Sequence, residues 1–509
     1  MKLQPALIFG EHMILQRDQK IMVWGTSAEN DTVTVRLNDQ CASAETVRGS
    51  WKVVLNEEKA CERTSMTISS SITGETITFN DVAIGEVWLA GGQSNMEFIM
   101  KYDVNCEETM QLENDESLRY FCYPHVAFNG FLEFESMPAE GFWRKWTTSE
   151  NRKQFSAIGA YMALILRKKL NVPVGIIGCN WGGSPAAAWT DIEDVRNNPA
   201  MAEIIKWHED ACNNTNWAKY IAASDIRPAE QTPEQKDFND RFMMGEDMSE
   251  FFKNFDPSKL PPVDFAPYNP GPRSIVRPGG LYENMLKKVA PYSIRGVIWY
   301  QGEDDDARNW ADFYDESMVT MINSWRKLWG WDFPFYQIEL APFQGISFTG
   351  AKKFALMRHL QHAASERLQD VTDICILDAG DRMNIHPRRK KMVGERLGRI
   401  VMKHTYGDDS LTADCPIIRE AVRNNDEIAI SFENAAGGMV INGNIHLWMT
   451  VRNEGRDIPY EASAEGDRLL LRGDFRDKSI RIEYCETNYC EAVLYNSEGN
   501  PAFGFTLEV

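Results

Sequence analysis

The chain has 509 residues, 43% of them apolar and 11% aromatic, which is enough for sizeable cores and too long for one ordinary core, so two or three domains are expected. Its formal net charge is -20 and no Lys/Arg cluster stands out, which excludes nucleic acid and membrane surfaces as expected partners. No apolar run approaches the roughly 18 residues that a bilayer span needs.

The N-terminus, Met1-Lys2-Leu3-Gln4-Pro5, lacks the apolar stretch and cleavage site of a signal peptide. The ten cysteines are scattered without a C-x-x-C pair, so free thiols in a reducing cytoplasm are expected rather than zinc or redox sites. Residues 1–82 read as a β-sandwich-like domain. Alternating runs at Ile21–Trp24, Thr32–Leu37, Trp51–Leu55 and Ser65–Ile72 are separated by Gly, Asn and Asp turns.

From Val82 the texture changes. Apolar strands at Glu86–Ala90, Val174–Gly178, Gly296–Tyr300 and Ile374–Leu377 alternate with helical patterns such as Ala157–Leu170, the mark of an α/β domain with a parallel sheet covered on both faces. This domain is expected over residues 83–407. Residues from about 195 to 272 interrupt it as a charged, strand-poor, helical or irregular insertion. Residues 408–509 return to β texture, with strands expected at Glu427–Phe432, Arg468–Leu471 and Ser479–Tyr484.

Four segments at predicted strand ends carry chemistry. Gly91-Gly92-Gln93-Ser94-Asn95-Met96 follows a strand, so a tight turn there presents a hydroxyl at the carboxyl edge of the sheet, with free N–H groups to hold an oxyanion. The plain alternative is that Ser94 only caps a helix. Gly182-Gly183 and Gln301 end two further strands and supply backbone and side-chain amide donors. Asp378-Ala379-Gly380-Asp381-Arg382-Met383-Asn384-Ile385-His386-Pro387 offers a base with carboxylates upstream. Glycine amides, a serine, an amide and an Asp/His pair make up the kit for acyl transfer.

These four segments, in this order, resemble the signature blocks of the SGNH hydrolases, a flavodoxin-like three-layer parallel-sheet fold, and most closely those of the sialate O-acetylesterase group. That group carries Gly-Gln-Ser-Asn-Met, Trp-Gly-Gly-Thr/Ser-Pro, Trp-Tyr-Gln-Gly-Glu and a loop ending Ile-His-Pro. Phe9–Arg17 and Tyr495–Phe503 are similar to its opening and closing segments. The resemblance implies Ser94 as nucleophile, His386 as general base, and an oxyanion hole from the Ser94 N–H, Gly183 and the Gln301 side chain, with Glu303 bracing its loop.

Two departures stand out. Many relatives have Asp two residues before the His, where this chain has Asn384. Asp381 is therefore the first choice as third member, Asp378 the next, and a Ser–His dyad helped by a backbone carbonyl a further option. Many relatives also continue Gln-Gly-Glu with Ser-Asn, where Asp304, Asp305 and Asp306 stand. That charge is expected near the site mouth unless Arg308 neutralises it.

The expected activity is hydrolysis of O-acetyl esters on carbohydrates through an acetyl-Ser94 intermediate, without metal or organic cofactor, on an acetylated sugar or oligosaccharide. A sialate is the first expectation, and a hemicellulose-derived oligosaccharide (xylan, mannan or xyloglucan) the alternative. A non-catalytic carbohydrate-binding protein would also suit two Trp-bearing β domains, but has no use for an aligned nucleophile and base. Arg273 and Arg277, just beyond the insertion, are the cations expected to meet a sialate carboxylate, which is costly to bury unpaired. Homo-oligomerisation is left open.

Overall fold

In the computed structural model, residues 2–128, 143–224, 233–246, 271–345, 350–476 and 479–509 are described. The chain divides into two compact units, Met1–Trp299 with Glu316–Phe335, and Tyr300–Asp315 with Tyr336–Val509. Among the described residues, no helix is long and apolar enough to cross a membrane.

The first unit opens with antiparallel ladders. Ile21–Thr26 pairs with Ser50–Leu55, and Thr32–Leu37 pairs with both Gln40–Glu45 and Cys61–Ser70. Side chains alternate along these strands, burying Val23, Val33, Val35, Trp51, Val53 and Ile68 while polar neighbours face water.

One strand of 17 residues, Thr76–Gly92, leaves this region and enters the α/β sheet. Its outer half alternates in burial and pairs antiparallel with Cys61–Ser70. From Asp81 on, every residue is buried, because the strand now lies inside a parallel sheet covered on both faces. The texture change at Val82 in the sequence is this switch. In the first unit the strand order runs Trp143–Trp146, Asp115–Cys122, Val174–Asn180, Thr76–Gly92, Gly296–Tyr300. Val174–Asn180 runs parallel to both of its neighbours.

The helix Ala157–Leu170 starts where Ser156 Oγ accepts the Gly159 N–H and stops at Asn171, which takes a left-handed conformation. Both signals are local, so the ends of this helix are legible from a few residues. The expected insertion contains the helices Ala202–Asn213, Trp217–Ser224 and Pro233–Met243.

In the second unit, Phe335–Ile338 neighbours Val371–Ile374, and the helices Phe354–Glu366 and Lys390–His404 follow. The strand expected at Ile374–Leu377 ends at Ile374 instead. Its ladder cannot continue, since Arg396 takes the Cys375 carbonyl at 2.9 Å and the Ala492 N–H takes that of Leu377 at 3.3 Å. Cys375 and Leu377 instead join Ile428, Ile430, Leu469, Leu471 and Ile482 in one core. Two four-stranded antiparallel sheets surround it, one built on Glu427–Glu433 and Arg468–Gly473, the other on Met449–Asn453 and Arg481–Tyr484. The chain is thus α/β, with antiparallel β regions before and after it in sequence.

Candidate active site

Ser94 is the first residue of a four-residue helix, Ser94–Glu97, that begins directly beyond the strand ending at Gly92. The N-cap is Gln93, whose side chain makes no capping bond. Its carbonyl receives the N–H groups of Met96 and Glu97 at 2.9 and 3.0 Å. The plain alternative, a serine that serves as a cap, is not what the backbone does. Gln93, Asn95 and Met96 are buried and Ser94 is half-buried, so at this turn the hydroxyl-bearing residue is the one that meets solvent.

The turn Trp181–Gly183 is fastened against this helix. Trp181 N–H donates to the Gly92 carbonyl at 3.1 Å, and Gly182 N–H donates to Glu97 Oε2 at 2.7 Å. A Cβ on Gly182 would lie 3.1 Å from Ser94 Cβ, tighter than an ordinary contact, so glycine lets the two segments approach this closely without displacement. Gly183 has φ of +70°, and a Cβ there would meet nothing within 4 Å. With the Gly182 amide committed to Glu97, Gly183 is the turn's glycine that faces open space.

His125 completes the arrangement. Its ring stacks on Trp181 with centroids 4.2 Å apart, and Nε2 donates to the Asn180 carbonyl at 3.1 Å while lying 3.5 Å from Glu97 Oε1. Neither Glu97 nor His125 was singled out from the sequence. Glu97 falls one turn of helix after Ser94, a spacing that could have drawn attention.

The two candidate arginines touch the segment just past His125. Arg273 places its guanidinium 4.6 Å from the centre of the Phe128 ring. Arg277 reaches the Ala127 carbonyl at 3.5 Å, and burial holds its guanidinium below the usual range. Both are thus tied to the segment that follows His125. The insertion reaches the chain just past the Ser94 helix, because Asp240 accepts from Lys101 Nζ at 2.7 Å and from Tyr102 Oη at 2.7 Å. Of the insertion's aromatics, Phe251, Phe252 and the Phe238 side chain lie outside the described residues, while Trp217 is 51% exposed.

In the second unit, Gln301 is fully buried and held at both ends of its amide. Nε2 donates to Asp305 Oδ2 at 2.6 Å, and Oε1 accepts from Tyr314 Oη at 2.8 Å. The acidic triplet is not a charge at the mouth. Asp304 pairs with Arg308 at 2.5 Å, Asp305 orients Gln301, and Asp306 receives the N–H groups of Lys352 and Lys353 at 2.8 and 2.7 Å. Burial raises the pKa of both Asp304 and Asp306. Among the described residues, no cluster of three or more His, Cys, Asp or Glu side chains could hold a metal ion.

His386 sits on a loop ordered by its own side chains. Asp381 Oδ1 accepts the N–H groups of Met383 and Asn384, each at 2.9 Å, and Asn384 Oδ1 accepts that of His386 at 2.9 Å. Asp378 is turned elsewhere, in a two-pronged bond to buried Arg396 at 2.9 and 2.7 Å. Burial first, and the Lys390 ammonium second, push the His386 imidazole down to about 3, so it is neutral at neutral pH. Neither carboxylate contributes to that shift. The stretch after His386 is basic, since Arg388-Arg389-Lys390-Lys391 follows Pro387 and runs into the helix Lys390–His404. The expectation of no Lys/Arg cluster fails here, because a strongly negative total conceals one short positive run.

Residues 261–403, which include Gln301, Asp381 and His386, match the family "Carbohydrate esterase, sialic acid-specific acetylesterase". The sialate O-acetylesterase of Rattus norvegicus is 23% identical over 84% of this chain and 78% of its own length. That of Homo sapiens is 24% identical over 81% and 73%. Among solved structures, a carbohydrate acetylesterase from Xanthomonas citri aligns over 99% of both chains with a TM-score of 0.73 and 25% identity. Family match, relatives and solved structure agree: the chain is similar to the sialate O-acetylesterase group of carbohydrate esterases and is a carboxylic ester hydrolase.

Proposed function

We propose that the protein is a serine esterase with the SGNH-hydrolase plan, removing O-acetyl groups from a sialate through an acetyl-Ser94 intermediate. The observation that carries this reading is the pairing of Ser94, first residue of a helix at a strand end, with a glycine turn so close that a Cβ on Gly182 would crowd Ser94 at 3.1 Å. That arrangement supplies a hydroxyl and backbone donors together, as acyl transfer requires. The names of the relatives supply the sialate.

In the proposed reaction, His386 accepts the Ser94 proton as the oxygen attacks the acetyl carbonyl. The oxyanion is held by the N–H groups of Ser94 and Gly183 and by the Gln301 amide. The sugar hydroxyl leaves with the proton from His386, and water then releases acetate by the same steps. A neutral His386 suits a base, which must begin unprotonated. Asp381 serves by ordering the loop through Met383 and Asn384 rather than by holding the imidazole, which makes Ser94 and His386 a dyad.

The test is acetate release from O-acetylated sialic acid beside acetylated xylo-, manno- and xyloglucan oligosaccharides, with Ser94→Ala as control. Wild type should prefer the sialate and accumulate a Ser94 acetyl adduct visible by mass spectrometry on rapid quenching. Ser94→Ala should lose activity by about three orders of magnitude or more. Retention of a tenth of the activity in Ser94→Ala excludes the nucleophile, and preference for a neutral oligosaccharide excludes the sialate.

A further inference from the structure

We propose that Arg382, seated on the ring of Tyr489, recognises the carboxylate of an acidic sugar substrate, with Trp448 as the apolar face beside it. The inference rests on the sialate reading above and assigns its specificity to residues of the second unit.

Arg382 is exposed, and its guanidinium lies 5.3 Å from the centre of the Tyr489 ring. Among the described residues, no carboxylate pairs with it. Tyr489 in turn meets Trp448 edge-on, with centroids 5.9 Å apart. A guanidinium laid over an aromatic ring keeps its N–H fork directed outward in one plane, the geometry that grips a carboxylate with two bonds.

This is not a loose surface arginine. The Arg382 carbonyl receives the N–H groups of Gln344 and Gly345 at 3.1 and 2.9 Å. The turn that carries Tyr489 is stitched down on either side. Asn488 accepts the Phe354 N–H at 3.0 Å and donates to the Ala351 carbonyl at 2.8 Å, and Arg358 donates to the Thr487 carbonyl at 2.7 Å. The Tyr489 hydroxyl is fixed on Glu491 at 2.7 Å. Both halves of the clamp are thus ordered before any ligand arrives, which lowers the entropy lost on binding.

Its place on the chain adds the second argument. Arg382 precedes His386 by four residues on one loop, and the bonds from Asp381 and Asn384 that order this loop lie between them. A molecule whose ester is addressed by His386 finds Arg382 at the other end of the same rigid stretch. Arg277 is already engaged, half-buried against the Ala127 carbonyl, and Arg273, over Phe128, lies far from this loop in sequence.

The experiment compares an O-acetylated sialic acid with its C1 methyl ester, which lacks the carboxylate charge, in the full-length protein. Wild type should favour the acid about tenfold in kcat/KM, through KM. Arg382→Ala should raise KM for the acid about tenfold and hydrolyse acid and ester alike, Arg382→Lys should recover part of the preference, and Tyr489→Ala should fall between. Arg273→Ala and Arg277→Ala should keep the acid preference. An Arg382→Ala enzyme that still prefers the acid, a wild type that does not, or loss of the preference in Arg277→Ala overturns the assignment. Should Arg382→Ala fail to fold, Arg382→Lys and the wild-type comparison still decide. A wild type that cleaves p-nitrophenyl acetate but no O-acetyl sialate overturns the sialate reading itself.

Discussion

The Tyr314 hydroxyl reaches both oxygens of Gln301, the side-chain Oε1 at 2.8 Å and the main-chain carbonyl at 2.9 Å. With Asp305 Oδ2 on Nε2 at 2.6 Å, this settles which way the amide faces, because a carboxylate can only accept and so must meet the NH2. Tyr314→Phe should therefore let the Gln301 amide turn and lower kcat about tenfold, with KM little changed, as read on p-nitrophenyl acetate. Asp305→Asn should cost more, since its own NH2 can face that of Gln301. An unaffected kcat in both variants would show that the orientation of Gln301 is immaterial.

Glu97 bears on the Gly182 amide in the same way. Glu97→Ala should loosen the Trp181–Gly183 turn and reduce kcat about tenfold. Glu97→Gln keeps a carbonyl acceptor for the Gly182 N–H and should recover most of that loss. Equal losses in the two variants would point to the negative charge beside His125 instead of the turn.

The two glycines separate by geometry. Gly182→Ala pushes a methyl group to about van der Waals contact or closer with Ser94, 3.1 Å from its Cβ, and should abolish most activity. Gly183→Ala has room for the methyl group and bears only the cost of a left-handed backbone, about 1 kcal/mol of stability by thermal or urea unfolding. Its activity should fall less. The reverse order would contradict the close approach of the two segments.

His386 predicts a pH dependence with a definite sign. Unfolded, the imidazole takes a proton below its ordinary 6.5, whereas in the folded protein burial and Lys390 delay this to about 3. Between those values the unfolded state binds more protons, so this group's contribution to stability falls as pH drops, by about 1.4 kcal/mol per pH unit. Urea unfolding of wild type and His386→Gln should differ in slope by about one proton in that window. The acidic limb of kcat/KM should lie well below 6.5 and move upward in Lys390→Met. A limb at 7 would sink this prediction.

The two acids of the loop should also part company. Asp381→Asn keeps an acceptor for the Met383 and Asn384 amides and should be mild, while Asp381→Ala should lower kcat more. Asp378→Ala strands the Arg396 guanidinium, which is 3% exposed, and should destabilise the fold by about 3 kcal/mol. Severe loss of kcat in Asp381→Asn with stability intact would restore Asp381 as a charged partner of the imidazole.

What could be read from the sequence is what local chemistry decides. The strand–glycine–serine turn at Ser94, the capped helix Ala157–Leu170 and the strand Gly296–Tyr300 each carry their signal within a few residues. The hidden part is contact between distant positions. The Asp304–Arg308 pairing, four residues apart, could be anticipated, but nothing near Gln301 announces that Tyr314 will hold its amide, or that Asp306 will receive the amides of Lys352 and Lys353. The strand expected at Ile374–Leu377 failed for the same reason, because the partners that end it, Arg396 and Ala492, come later in the chain. The basic run after His386 was visible and was outweighed by the acidic total.

The 17-residue strand Thr76–Gly92 has a practical consequence for anyone dividing this protein. Residue 82 looks like a splice point in composition, yet a cut there severs a single strand whose far end delivers Ser94. Removing the leading β region would leave the strand beyond residue 82 with a raw edge, without the Met13, Ile14–Gln16 and Cys61–Ser70 partners that cover it. The leading β region is therefore a footing of the catalytic sheet rather than an appendage, and a truncation beginning near residue 83 should express as aggregate, not as a smaller working esterase.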